Sequence, residues 1–155
     1  MITIDELMTE NPYALRPSDS LQAARNLMSE KNIRHIPITD DDGRLLGLVT
    51  QRDILMASSP DNKNHDVELS KIMIDKVSVI RTTDSVRQAA IRLQQKKYGC
   101  LPVVTDDRLV GIVTDSDYVG VAINLLEQVE LAEDEIPGDD DDFDDMDIAS
   151  FESDF

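Results

Sequence analysis

Two stretches of this chain place a Gly, two apolar residues, a Thr and an Asp at one spacing: Gly47-Leu48-Val49-Thr50-Gln51-Arg52-Asp53 and Gly111-Ile112-Val113-Thr114-Asp115-Ser116-Asp117. A Thr that opens a helix, with an acid three residues on, has a structural use. It forms a capping box that satisfies backbone donors left free in the first turn. The Gly then relieves crowding in the preceding strand. The same residues also suit recognition. A helix N-terminus offers free N–H groups and partial positive charge, which fit a phosphate, and the Thr hydroxyl can donate to it. An Asp one turn along can accept hydrogen bonds from two vicinal ribose hydroxyls, as carboxylates do in dinucleotide folds. The Gly would let a flat base or sugar approach the backbone. Capping explains one copy, and the nucleotide reading stands beside it.

A second copy makes an internal repeat the first thing to test. Residues 7–20 match 72–85 at an offset of 65, pairing Met8 with Met73, Arg16 with Arg81 and Asp19-Ser20 with Asp84-Ser85. Residues 21–38 match 86–103 and pair Pro37 with Pro102; the following turn is one residue shorter in the second copy, and 44–55 match 108–119. Each copy predicts the order β-α-β-β-α. A short extended run (YALR, VSVIR) comes first. A helix follows, capped by Asp-Ser, with Leu21, Ala24, Leu27 and Met28, or Val86, Ala89, Ala90 and Leu93, at helical spacing. Two strands joined by the turns DDDGR and DDR lead to a second helix opening at Thr50 or Thr114. In the second copy an apolar stripe of Tyr118, Ala122, Leu125 and Val129 lengthens that helix, and its first half is expected to pack on the chain's own sheet. One copy is about 50 residues, too few for a self-sufficient core. The expectation is α/β (α+β): two repeats, 1–55 and 67–132, packed about a pseudo-twofold axis. A polar linker at 56–66 joins them, and an acidic disordered tail at 133–155 follows.

The bulk numbers narrow the function. The chain has 155 residues and a formal charge of −17. From Glu127 onward there are 14 acids and no Lys or Arg, so the remaining 126 residues hold 18 acids against 15 bases. A nearly balanced body with an acidic end argues against nucleic-acid binding. One cysteine, Cys100, excludes a disulfide framework or a cysteine-based metal site. The opening residues lack a secretory pattern and no apolar run approaches the length of a membrane span, so a cytoplasmic location is expected and no membrane partner. His35 and His65 have no metal-ligand spacing, and no P-loop, Rossmann fingerprint or Ser/His/Asp order appears. Asp40-Asp41-Asp42-Gly43 lacks the later ligands of a calcium loop and reads as a hairpin turn. No catalytic residue, metal or required cofactor is expected, and the chain is not expected to be an enzyme.

With IPIT…GLVTQRD and LPVV…GIVTDSD in place, each repeat resembles a CBS domain, the motif named after cystathionine β-synthase, over about residues 2–126. Two in tandem resemble a Bateman module, and the stand-alone arrangement is similar to bacterial acetoin-utilisation-type CBS proteins. The resemblance implies two clefts that hold adenosine compounds (AMP, ADP, ATP or S-adenosylmethionine) as regulatory ligands, and association into a homodimer. It implies ribose on Asp53 and Asp117, and phosphate or ribose on Thr50 and Thr114. Ile36-Pro37 and Leu101-Pro102 would flank adenine, beside Gly47 and Gly111. The copies differ there. Repeat 1 has Arg34, His35 and Arg52 where repeat 2 has Gly99, Cys100 and Ser116, and Asp115 opposes phosphate in repeat 2. The phosphorylated ligand is therefore expected in repeat 1. Plainer readings are a solvated Arg52, a packed His35 and a small buried Cys100.

The tail carries all three Phe residues of the chain, Phe143, Phe151 and Phe155, among acids. Such an acidic-hydrophobic segment suits folding onto a protein partner. The leading expectation is a nucleotide sensor that signals to a partner. The alternative is a ligand-free dimeric scaffold whose tail binds that partner.

Overall fold

The computed structural model describes residues 1–58 and 67–135. Local signals set its elements. Ser20 Oγ accepts from Ala23 N at 3.1 Å and starts helix α1, Leu21–Lys31. That helix ends on Asn32 in the left-handed region, φ 52°, where Asn is tolerated. Ser85 caps helix α3, Val86–Gln95, and Gln88 returns the bond to complete the capping box. Strands β2 (His35–Thr39) and β3 (Leu45–Thr50) pair antiparallel, as do β4 (Cys100–Thr105) and β5 (Arg108–Thr114). Their turns follow the residues available. Asp40 Oδ1 accepts from Asp42 N and Arg44 N while Gly43 takes φ +82°; Asp106 and Asp107 take φ 51° and 64°, as a type I′ hairpin turn requires. Helix α2 spans Gln51–Ala57 and helix α4 spans Asp115–Glu135. Helix α2 therefore takes two residues that were expected in the linker; residues 59–66 lie outside the described ones.

The extended runs predicted before α1 and α3 shrink to single bridges, Leu15 with Ile38 and Ile80 with Val103, both parallel. The unforeseen strand lies earlier. Strand β1, Thr9–Glu10, pairs antiparallel with β5 of the other repeat, and the equivalent Ile74 pairs with Leu48 of β3. Each repeat thus sends its opening segment into its partner. Ile4 is fully buried among Ile80, Ala89, Leu101, Val103 and Val113. Leu69 is fully buried among Leu21, Ala24, Ile36, Ile38, Val49 and Ile54. Burying one such side chain contributes on the order of 1.5–3 kcal/mol, so the exchange ties the two cores together. A third cluster, Leu48, Cys100 and Ile112, closes the seam between repeats. The hairpins also meet reciprocally: Leu45 N donates to Asp107 O and Leu109 N to Gly43 O, both at 3.0 Å. These mutual contacts at one sequence offset are the pseudo-twofold axis.

The exchange explains Gly47 and Gly111. A Cβ on Gly47 would stand 2.6 Å from Met73 Sδ and 2.8 Å from Ile74 O, and one on Gly111 would stand 2.5 Å from Met8 Sδ. Neither glycine opens space for a base or sugar, as the sequence suggested; the crossing segment of the other repeat fills it.

The body ends at Tyr118, and residues from Val119 on form a second unit. Tyr118 packs on the repeat 2 core and donates its hydroxyl to Val86 O. Of the predicted stripe, Tyr118 belongs to the body, and Ala122, Leu125 and Val129 belong to the second unit. No α4 residue is buried, and Leu125, Leu126 and Val129 are all more than half exposed.

Candidate ligand-binding clefts

Thr50-x-x-Asp53 forms the predicted capping box in full, and Thr114-x-x-Asp117 forms the half in which the Asp accepts from the Thr. Thr50 N and Oγ1 both donate to Asp53 Oδ2, at 2.9 and 2.8 Å, and Asp53 N returns a bond to Thr50 Oγ1 at 3.2 Å. Thr114 N and Oγ1 donate to Asp117 Oδ2 at 2.8 and 3.3 Å. The cap uses one carboxylate oxygen. Among the described residues no hydrogen bond involves the other, Oδ1, so capping leaves an acceptor on each Asp for a ligand hydroxyl.

Two clefts open beside these caps. Cleft I, about 420 Å³, is lined by Thr50, Arg52 and Asp53 of repeat 1, and by Ile74, Lys97 and Tyr98 of repeat 2. Cleft II, about 360 Å³, is lined by Thr114, Asp115 and Ser116 of repeat 2, and by Thr9, Asn32 and Ile33 of repeat 1. Both volumes fall in the range of small-molecule sites. The lining residues correspond by the repeat offset, with Thr9, Asn32 and Ile33 standing where Ile74, Lys97 and Tyr98 stand. Each cleft therefore takes its cap from one repeat and its facing wall from the other.

That crossing adds to the expected role of Arg34 and His35. Both were expected to serve repeat 1, and both line cleft I and cleft II. The reason is their place at the seam. Arg34 O accepts from Gln51 N at 2.8 Å, holding the start of α2. His35 Nε2 donates to Tyr98 O of the other repeat. Burial lowers the His35 pKa below its usual 6.5, against the raising effects of the Tyr98 bond and Asp115, so the ring is neutral at pH 7.

Cleft I gathers Arg34, Arg52 and Lys97 against Asp53. Lys97 escaped the sequence reading because its counterpart, Asn32, serves the other cleft; the offset together with the crossing would have found it. In cleft II, Arg34 faces Asp115. Asp117 holds its cap but is not among that cleft's lining residues. Four predicted adenine neighbours are not at a cleft surface. Ile36, Pro37, Leu101 and Pro102 are fully buried: Ile36 and Leu101 face their own repeat's core, while Pro37 and Pro102, paired with Leu48 and Ile112, face the seam between repeats. Cys100 is fully buried too, and burial, with a smaller contribution from Asp115, pushes its thiol up to about 12. It is a packed apolar residue, as the plainer reading had it. Phe143, Phe151 and Phe155, and His65, lie outside the described residues. Among the described residues no group of acids, His and Cys is placed to hold a metal, and no helix is long and apolar enough to cross a membrane.

Known proteins share this arrangement. The CBS-domain family profile matches residues 4–60 and 69–123. The crystal structure of a proposed acetoin utilization protein from Vibrio cholerae is 42% identical, covers 88% of this chain and 99% of its own, and superposes with a TM-score of 0.75. CBSX2 of Arabidopsis thaliana, solved in complex with AMP, is 29% identical with a TM-score of 0.72, covering 81% of this chain and 98% of its own. The CBS domain pair of protein MJ0100, solved with 5′-methylthioadenosine and S-adenosyl-L-methionine, is 26% identical with a TM-score of 0.72, over 80% of this chain and 98% of its own. The homoserine O-acetyltransferase of Methanococcus vannielii is 30% identical over 69% of this chain, which spans only 22% of that enzyme's length. Two profile matches, one on each of two halves that exchange their opening segments, make this chain a member of the CBS-domain family with its CBS domains in a tandem pair.

Proposed function

We propose that this chain is a regulatory module that binds an adenine nucleotide in cleft I and reports its occupancy to a partner protein, without catalysis of its own. One observation carries the reading: Asp53, held by its cap through one carboxylate oxygen, presents the other beside Arg34, Arg52 and Lys97. A carboxylate acceptor for ribose hydroxyls next to a cluster of cations matches a nucleoside with a charged 5′ end. The ligands of CBSX2 and of the MJ0100 pair support the adenosyl class. Thr50 uses its hydroxyl proton on Asp53, so its part in the site is to hold that carboxylate in place. Pro37, Pro102 and their neighbours act by shaping the strands rather than by touching the base. Binding in a cleft whose walls come from both repeats would bias how those repeats pack, which is how a ligand with differential affinity shifts a conformational equilibrium. A cytoplasmic homodimer completes the proposal, and Leu55 and Met56 of α2, 68% and 74% exposed, are apolar surface available to it.

A second reading has its own observation. Val119, Ile123, Leu126 and Val129 expose an apolar stretch on a helix without a basic residue. A dimeric scaffold that binds its partner through this end, including the acidic Phe-bearing tail, would use that stretch and leave the clefts empty. A thermal-shift and calorimetry panel of AMP, ADP, ATP and S-adenosylmethionine separates the two. A ligand that binds only the folded chain raises its melting temperature. The sensor reading expects a shift with a phosphate-bearing nucleotide that Asp53→Ala removes. No shift with any compound would leave the caps as caps and favour the scaffold.

A further inference from the structure

We propose that the end of α4, residues 122–135, is a docking face for a partner's helix that carries one apolar row and one basic row. This rests on the need for a partner that both readings above share, names that partner's chemistry, and holds whether the clefts are filled or empty. The repeat itself marks the segment. At the offset of 64, the last residue of α2, Ala57, matches Val121, so residues 122–135 have no counterpart in repeat 1. Repeat 1 completes its cap and its core without them. They add about 21 Å of helix.

Two rows run along it. Ala122, Leu125, Leu126 and Val129 recur at i, i+3, i+4 and i+7, which makes one apolar face, and the three larger ones are each more than half exposed. Glu127, Glu130 and Asp134 recur at i, i+3 and i+7 along one side of that face. No Lys, Arg or His follows Arg108 in the chain, so the helix holds no base to pair with them. These acids do not serve the helix. Its last turn holds Glu133, Asp134 and Glu135 and no basic residue, at the end where the macrodipole is already negative. A helical stretch this short is also marginal in water without packing. One kind of partner offsets all of this: an amphipathic helix with apolar side chains on the row and Lys or Arg beside it. A second copy does not supply it. Its α4 offers the same apolar row with only more acids, and like charges along the rim of a helix pair repel.

The probe is a synthetic amphipathic peptide of about 18 residues, long enough to span the segment, with Leu at that apolar spacing and Lys elsewhere. It is titrated against the full chain by fluorescence anisotropy, with a Leu/Glu peptide as control. The Lys peptide should bind at least about tenfold tighter than the Glu peptide, and more weakly as salt rises. Glu127→Gln, Glu130→Gln and Asp134→Asn together should weaken it about tenfold and remove most of the salt dependence. Leu125→Ser with Leu126→Ser should weaken it at least about tenfold at every salt concentration. The melting temperature should fall in neither variant; a fall means that the chain already uses this face for itself, and overturns the proposal. Binding that neither variant changes places the peptide elsewhere, the acidic residues beyond 135 included, and overturns it too. So does a drop in the chain's mass by light scattering in Leu125→Ser with Leu126→Ser, which makes a second copy the occupant. None of these outcomes touches nucleotide binding, which tests the sensor reading separately.

Discussion

Cleft I and cleft II occupy equivalent places in the two repeats, yet one gathers three cations around a carboxylate and the other sets a single Arg against Asp115. The backbone around them is alike. Gln51 N meets Arg34 O as Asp115 N meets Gly99 O, and Thr50 meets Asp53 as Thr114 meets Asp117. The difference teaches which positions the fold holds and which it leaves open. The caps and crossing segments serve both cores and stay alike in the two copies. The residues just after each Thr point into a cleft rather than a core, so Gln51-Arg52 and Asp115-Ser116 can differ with little effect on folding. A duplicated fold has thus become two unlike sites.

Breaking the exchange of opening segments should have the largest effect. Ile4→Ala and Leu69→Ala each empty a fully buried position and should destabilise the chain by about 2–5 kcal/mol. The damage should be crossed. In hydrogen exchange, Ile4→Ala should loosen β4 and β5 more than β2 and β3, and Leu69→Ala the reverse. Equal loosening of both pairs would remove the crossed assignment. Next comes the binding comparison. Asp53→Ala should weaken ATP binding by about 2 kcal/mol, from lost hydrogen bonds to a charged group, while Asp117→Ala should leave it nearly unaltered. Equal losses would make the clefts alike.

Smaller again is the effect of adding a methyl group at each glycine. Both glycines face a Met Sδ, but a Cβ on Gly47 would also come within 2.8 Å of the Ile74 carbonyl, whereas one on Gly111 would stay 3.1 Å from the Thr9 carbonyl. Gly47→Ala should cost about 2–3 kcal/mol and Gly111→Ala about 1 kcal/mol, readable in denaturant midpoints. The reverse order would mean that the sheet yields more easily at Ile74 than Met8 does. The smallest effect is the pH response of the seam. Burial lowers the His35 pKa, so the unfolded chain takes up a proton more readily than the folded one. The stability tied to neutral His35 is complete above 6.5 and is lost as pH falls through 6.5 toward the folded value. His35→Gln should flatten the melting temperature in that window. Its counterpart Cys100, with a thiol pushed up to about 12, gives repeat 2 no such response.

The duplication, the order of helices and hairpins, the Ser and Thr caps and both turns were legible in the residues, because each depends on neighbours within a few positions. The paired Thr-x-x-Asp was legible for the same reason, and so was the charge difference at Asp115. Three things were not. The repeat begins with a segment that pairs with the other copy; a match of Met8 with Met73 shows equivalence but not that each meets the other copy's glycine. Ile36-Pro37 and Leu101-Pro102 lie near the motif in sequence yet are fully buried, each pair split between a core and the seam. Lys97 joins Arg52, and Arg34 and His35 serve both clefts, through contacts more than 40 residues apart along the chain. Local hydrogen bonds and periodicity are written in short stretches, so the sequence by itself determined the repeats, their elements and their caps. Which wall faces which cap depends on how two equivalent halves dock. Identical patterns allow self-packed and exchanged arrangements alike, and only burial of Ile4 and Leu69 in opposite cores decided between them.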